Sequence, residues 1–265
     1  MDFLFTYYSF KPSQLRLWSP GVAAVLAGSG AESFLARKFF SSDRRGVFAD
    51  PALLPAARLE GIRWMRNLLR VTFSRTPQFG CFGFHEWAML YQARPDDIRH
   101  TVPLRLSVAE ISQVLEANTL CCSHFDAFRH FTSEALERNS KPLRREDSAN
   151  NEQRGCLHVN MDLYKWSSKL APFVPSELVA DCFELAAEIR GIDMRASPYD
   201  LTAFGYSPIP IETREGRDEY VAYQRQFAER GQPLRKRLLD VFDDVLSRAN
   251  AAQSRPPLSV EASIS

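Results

Sequence analysis

The sequence predicts a mainly α protein in which residues 1–250 form a single helical domain with long irregular connections. Apolar side chains recur at the spacing that places them on one face of a helix in three segments: 51–72, 177–190 and 214–250. The chain has 265 residues, of which 45% are hydrophobic, and this is enough to bury a substantial core. Residues 251–265 are rich in Ser and Pro and are predicted to form a disordered tail.

Charge and cysteine content restrict the class of protein. The 33 Lys and Arg nearly balance the 32 Asp and Glu, so no global basic field of the kind that attracts nucleic acid or a membrane is present. The five cysteines show no CxxC spacing, which predicts reduced thiols in an intracellular protein. No run approaches the roughly 20 apolar residues that span a bilayer. We therefore expect a soluble, cytoplasmic protein with no membrane partner.

The elements of the first half follow from periodicity and capping signals. Leu59, Ile62 and neighbouring apolar residues predict the helix over 51–72. Ser107 and Glu110 have the spacing of a capping box, which predicts a helix that begins there and runs to about residue 117. Bulky phenylalanines predict another helix over 121–137.

The second half alternates polar and apolar segments. The polar composition of residues 138–154 predicts a solvated loop, with a lid as the alternative. Residues 156–170 return to apolar and aromatic character, and the helix over 177–190 is expected to end at Gly191. The last helix signal, over 214–250, is expected to be interrupted at Gly231 and Pro233.

The stretch Phe-Gly-Cys-Phe-Gly-Phe-His-Glu-Trp-Ala-Met-Leu-Tyr, residues 79–91, is the predicted centre of the site. Its two glycines allow a tight turn, and the adjacent His85 and Glu86 follow within an apolar, aromatic run. Ionisable groups in such surroundings must either be paired with another polar group or take part in the function of the protein. We expect them to meet polar groups from the apolar segments 123–131 and 156–166 in one partly buried site.

One interpretation of this site is a metal centre. Asp126 and His130 are four residues apart on a predicted helix, and His158 and Asp162 have the same spacing, so each pair would share a helix face. Together with other His and Glu side chains they could bind iron or manganese in an oxygenase with a helical, haem-oxygenase-like bundle. The candidate ligands are Glu86, His124, Asp126, His130, His158 and Asp162. Alternatively, each histidine only hydrogen-bonds a neighbouring carboxylate in the core.

A second interpretation needs no cofactor. In the cleavage of an N-glycosidic bond, an ionised carboxylate stabilises positive charge on the sugar and aromatic walls hold the departing base. Glu86, Asp126 and His85 are the candidate catalytic residues. Candidate substrate-binding residues are Trp87, Tyr164, Trp166, Arg195, Tyr199 and Asp200. The alternatives are that the aromatic rings belong to the core and that Arg195, which lies between Asp193 and Asp200, only fixes two carboxylate-bearing segments by forked hydrogen bonds.

Five blocks of the sequence carry a resemblance to a known family. They read FLFTYYSF at 3–10, FGCFGFHEWAM at 79–89, CSHFDAFR at 122–129, GCLHVNMDLYKW at 155–166 and DMRASPYDL at 193–201. In these blocks the chain resembles a bacterial, mainly actinobacterial, family labelled 3-methyladenine DNA glycosylase. The resemblance implies hydrolysis of the N-glycosidic bond of an alkylated purine and DNA as the partner. A small-molecule oxygenase remains the alternative, and a binding protein without catalysis is a third possibility.

Overall fold

The computed structural model describes residues 2–8, 11–94, 96, 98 and 102–253, and it confirms the mainly α class. The first half contains α1 Asp2–Tyr7, α2 Pro12–Leu15, α3 Ala56–Ser74, α4 His85–Ala88 and α5 Val108–Glu116. The second half contains α6 Phe125–Phe128, α7 Ser133–Leu136, α8 Ser148–Asn151, α9 Leu157–Lys169, α10 Ser176–Arg195 and α11 Arg214–Gln253. Short 3-10 turns lie at Ala31–Ala36, Pro51–Leu53, Arg145–Asp147 and Thr202–Phe204.

A small antiparallel sheet, which the sequence did not predict, lies between α2 and α3. Its strands are β1 Val25–Leu26, β2 Phe40–Asp43 and β3 Gly46–Ala49, in the order β1-β3-β2. β2 and β3 form a hairpin in which Asp43 pairs with Gly46. Gly46 has φ +134°, a conformation that side chains rarely adopt, so glycine is required where this hairpin passes Leu26.

The four long helices form the centre of the molecule. α9 and α10 pack along each other, and α11 packs against α3, α9 and α10. Side chains from all four helices contribute to one apolar core, and α9 is buried on nearly every side. The polar residues of α9 are therefore held inside the protein, where each polar atom needs a partner.

Helix α11 contradicts the expected interruption at Gly231 and Pro233, because it continues unbroken to Gln253. A Cβ at residue 231 would lie 2.6 Å from Asn160 Oδ1, so glycine here allows α9 to approach closely. Tertiary packing therefore outweighs the local cost of the two residues. The first three residues of the predicted disordered tail are helical, and 254–265 lie outside the described residues.

Helix α10 also continues past its expected end. Gly191 lies inside the helix, and a Cβ there would meet nothing within 4 Å, so no contact forces the chain to turn. The helix runs one further turn to Arg195. This extra turn carries Asp193 into the interior of the protein, at 1% exposure.

The prediction of one helix over 121–137 is wrong. The segment forms the single turns α6 and α7, and His124 precedes α6 in extended conformation at φ −108° and ψ 113°. Asp126 and His130 therefore do not form the expected pair on one helix face. The adjoining segment 138–154 is not simply solvated, since it includes α8 and buries Asn139, Glu152 and Gln153.

Candidate metal centre

The turn before α4 positions His85. Phe82 and Gly83 have positive φ values of 46° and 77°, which reverse the chain immediately before the helix. A Cβ on Gly83 would lie 3.0 Å from the ring of Tyr220, so the turn packs directly on α11. His85 is thereby fixed as the first residue of α4 and is buried.

Three buried side chains from three helices converge on one point. His85 from α4, His158 from α9 and Asp193 from α10 each offer one ligand atom, and these atoms all lie within 4.8 Å of one another. His85 Nε2 and Asp193 Oδ1 are 3.3 Å apart, yet neither atom makes a hydrogen bond within the described structure. Two imidazoles and a carboxylate are a ligand set for divalent transition metals that leaves positions open on the ion.

The charges around these three residues favour the metal-binding protonation state at Asp193 and His158. Burial opposes ionisation of Asp193, but His85 and Arg190 outweigh it and hold the pKa of Asp193 well below its ordinary value. Burial, with the charge of His85, lowers the pKa of His158 well below its ordinary value. Asp193 is therefore an anion and His158 a neutral imidazole, which are the protonation states that bind a metal. Burial opposes protonation of His85, but Asp193 and Glu86 outweigh it and raise the pKa of His85, so a metal ion has to displace a proton from this imidazole.

Arg190 connects the carboxylate ligand to Glu86. Its Nη1 donates to Asp193 Oδ2 at 2.6 Å and to Glu86 Oε1 at 3.1 Å. Glu86 Oε1 is 3.9 Å from His85 Nε2, and the Glu86 side chain is 13% exposed. Glu86 therefore lies beside the three converging ligands, between them and the surface.

A second row of polar groups continues from His158 toward the opposite side of the protein. The rings of His124 and His158 stack at 5.2 Å with an interplanar angle of 18°. His124 Nε2 lies 3.3 Å from Asp162 Oδ2, and Lys165 Nζ joins that oxygen at 2.9 Å to Asp126 Oδ2 at 2.8 Å. Among the described residues, this second row forms no further cluster of three possible metal ligands.

A cavity of about 20 Å³ adjoins His85 and His158. This volume holds about one water molecule. Four of the five cysteines line it: Cys81, Cys121, Cys122 and Cys156. Burial raises the pKa of Cys122 to about 12 and that of Cys156 well above its ordinary value, so these two groups are neutral thiols.

The structure brings together some of the residues predicted from the sequence and separates others. Five of the predicted residues lie close together, either at the three converging ligands or in the second row of polar groups: His85, Glu86, His124, His158 and Asp162. His130 lines a different surface pocket, and Asp126 lies at the far end of the second row, where it binds Lys165 and Arg145. His130 and Asp126 are therefore outside the converging set.

Asp193 was not named from the sequence as a possible metal ligand. Asp193 lies three residues after Arg190, a spacing that puts both side chains on one helix face. The spacing is informative only if the helix continues through Gly191, which was not expected from the sequence.

Most of the expected substrate-binding residues have structural roles. Trp87 is completely buried and its Nε1 donates to Ala196 O, and the Tyr164 ring is buried between Tyr8 and Phe183. Neither ring offers a face to a ligand, so ordinary core packing was the correct alternative for both.

Arg195 and Asp200 make local contacts, whereas Tyr199 lines a pocket. Arg195 does not bridge Asp193 and Asp200, because it binds Ser207 O and Glu219. Asp200 accepts hydrogen bonds from its neighbour Thr202. Tyr199 lines the same surface pocket as His130.

Trp166, another of the expected aromatic walls, lines a large groove. The groove has a volume of about 530 Å³ and includes Trp64, Asp126, Lys165 and Lys169. Burial opposes ionisation of Asp126, but Lys165 outweighs it and lowers the pKa of Asp126. An ionised carboxylate and an aromatic wall thus share one groove.

Comparison of the chain with protein-family models, curated proteins and solved structures found no match. Among the residues that the structure describes, none belongs to a helix both long and apolar enough to cross a membrane.

Proposed function

We propose that the protein is a metal-dependent enzyme in which His85, His158 and Asp193 hold an iron or manganese ion. The observation that carries the proposal is the convergence of three buried donor atoms within 4.8 Å, two of which make no hydrogen bond. His85 and Asp193 form an ion pair when His85 is protonated, but each leaves a buried polar atom without a hydrogen bond, and a metal ion would be a partner for both atoms. Bound there, iron would supply oxidation chemistry through its open coordination positions.

The surrounding residues have distinct tasks in this proposal. Arg190 orients Asp193 and balances its charge, which leaves Oδ1 directed toward the two histidines. Glu86 is within reach of a molecule at the centre and is partly exposed, so it can exchange protons between that molecule and solvent. The free thiols around the cavity are consistent with a reducing, cytoplasmic location.

The small cavity limits what can approach from its side. About 20 Å³ admits a diatomic molecule such as dioxygen but not an organic substrate. A polar surface pocket of about 600 Å³ shares Phe131 with this cavity and also includes Gln92, Thr132 and Tyr199. None of the three proposed ligands lines this pocket, so it does not open directly onto the metal centre.

Metal analysis tests the proposal. After anaerobic loading with Fe(II) and gel filtration, the wild-type protein should retain about one ion per chain by mass spectrometry, given three ligands and open positions. His158→Gln and Asp193→Asn should lose it. His130→Gln is the matched control because His130 lies outside the converging set. Retention of iron by both ligand variants, or its absence from folded wild-type protein, would refute the proposal.

The second candidate function is hydrolysis of the N-glycosidic bond of an alkylated purine in DNA. Besides the resemblance, it is supported by the ionised Asp126 and the ring of Trp166 in one groove, where the carboxylate can stabilise positive charge on a sugar. Release of 3-methyladenine from methylated duplex DNA, unaffected by a chelator and lost in Asp126→Asn, is the expected result. Sensitivity to the chelator, or full activity of Asp126→Asn, would contradict it.

A further inference from the structure

The groove beside Trp166 is a separate site from the metal centre. Its walls are α3, α6, the segment 145–152 and α9, and we call it the Trp64 groove after its most exposed ring. Asp162 and His124 lie between this groove and His158, so a ligand in it does not touch the metal centre. Its volume of about 530 Å³ falls in the range of small-molecule sites.

Two indole rings form an aromatic corner in the Trp64 groove. Trp64 is 40% exposed, and its ring centroid lies 5.8 Å from that of Trp166 at an interplanar angle of 72°. Trp166 is only 6% exposed and Lys165 Nζ lies 4.5 Å from its ring centroid, so the accessible face is that of Trp64. A planar ring placed in this corner would stack on Trp64 and lie beside Trp166. A large exposed aromatic side chain inside a concave, mixed polar surface is typical of a binding site.

The charges in the groove are not fully balanced. Lys165 is compensated by Asp126 and Asp162. Lys169 Nζ lies 5.4 Å from the Trp166 ring centroid, and no carboxylate of the described residues is within ion-pair distance of it. Partial burial and the nearby Lys165 lower the pKa of Lys169 from its ordinary value. An anion at this point would stabilise the Lys169 charge.

The same groove also contains Arg145 and two more carboxyl groups, Glu146 and Glu152. Arg145 pairs with Asp126, and burial raises the pKa of Glu152 to about 7. Glu146 is exposed to solvent and makes no ion pair with the residues that the structure describes. Solvent screens an exposed carboxylate strongly, whereas Lys169 lies against the aromatic corner. The charge next to a bound ring is therefore that of Lys169.

Gly61 is the third feature that favours a ligand. It lies in the middle of α3 and lines the groove, and a Cβ at this position would meet nothing within 4 Å. Glycine inside a helix is unfavourable, and here neither close packing nor a positive φ requires it. The open space in front of Gly61 instead extends the groove beside Trp64.

We propose that the Trp64 groove binds a planar aromatic anion, whose ring lies in the corner of Trp64 and Trp166 and whose anionic group lies at Lys169. This binding site does not depend on the proposed metal chemistry. Asp193→Asn should therefore bind the aromatic anion as the wild-type protein does, whatever the outcome of the metal analysis.

Calorimetric titration with three probes of one shape and different charge tests the inference: 2-naphthoate, 2-naphthamide and 2-naphthylmethylammonium. The anion should bind about tenfold more tightly than the neutral amide, as one charge-assisted contact is worth about 1.4 kcal/mol, and the cation most weakly. Lys169→Gln should remove the preference for the anion. Gly61→Leu should weaken all three probes by filling the groove.

Matched controls make the result decisive. Lys236→Gln removes an exposed lysine elsewhere and should leave naphthoate binding unchanged. Equal binding of the three probes, preference for the cation, or an unchanged preference in Lys169→Gln would overturn the anionic part of the proposal. No binding of any probe, or unchanged binding in Gly61→Leu, would overturn the site itself.

Discussion

Asp126 and Asp162 bind the same lysine but differ in burial. The same substitution, made separately at each position, therefore measures how burial changes the contribution of an ion pair to stability. Lys165 Nζ lies 2.8 Å from Asp126 Oδ2 and 2.9 Å from Asp162 Oδ2. The Asp162 side chain is 1% exposed, whereas Asp126 is 16% exposed and also pairs with Arg129 and Arg145, which are largely exposed. Replacement of each aspartate by asparagine removes one charge and keeps the shape.

Asp162→Asn should be the more damaging change. It leaves Lys165 buried beside one remaining carboxylate and removes the partner of His124, which should cost about 3 kcal/mol, the lower end of the range for breaking a buried pair. Asp126→Asn should cost about 1 kcal/mol, because solvent screens its exposed partners. The measurement is the free energy of unfolding from urea titrations at pH 7, with unchanged m values as the check on two-state behaviour.

The difference in free energy of unfolding between the two variants should become smaller as the pH falls. Burial opposes ionisation of Asp162, but Lys165 and His124 outweigh it and hold the pKa of Asp162 far below its ordinary value. Its contribution to stability is therefore complete above about pH 5 and declines as the pH falls below about 4. Equal costs for the two variants at pH 7, or a gap that widens in acid, would refute the reasoning.

Three further predictions concern single residues. Burial raises the pKa of Glu152 to about 7, so the unfolded chain loses this proton at a lower pH than the folded protein does. The free energy of unfolding therefore falls as the pH rises. In urea titrations, Glu152→Gln should have the same free energy of unfolding as the wild type near pH 4 and a higher one, by up to about 3 kcal/mol, at pH 8. Gly61→Ala should raise stability by about 0.5–1 kcal/mol in the same assay, since its Cβ meets nothing. Gly83→Ala should instead destabilise by at least about 1 kcal/mol, because φ is +77° and the Cβ would press on Tyr220, and thermal unfolding would reveal the loss.

The sequence predicted the secondary structure correctly where neighbouring residues determine it. The helix expected over 51–72 is present as Ala56–Ser74, and Ser107 and Glu110 form the expected capping box. In contrast, the unbroken course of α11 through Gly231 depends on close approach to Asn160, a residue of another helix. Such tertiary contacts leave no periodic signal in the sequence, so helix breaks inferred from Gly and Pro were wrong there.

The sequence indicated which types of residue form the site, but not which individual residues come together there. Residues 79–91, the predicted centre of the site, contain His85, which is one of the three converging side chains. Helical spacing grouped Asp126 with His130, but the chain at α6 forms a single turn and separates them. Asp193 joins the site only because α10 continues beyond Gly191 to Arg195, although glycine at this position predicted the end of the helix.

Helix α9 carries His158 and Asp162 toward the interior and Lys165 and Trp166 toward the Trp64 groove, all within nine residues of one rigid element. A substitution that displaces this helix along its axis therefore changes the geometry at both of its ends together. Variants that move α9 should therefore affect the groove and the histidines together, whereas a variant on another helix, such as Asp193→Asn, leaves the groove as it is. Engineering of α9 itself would have to consider both ends at once.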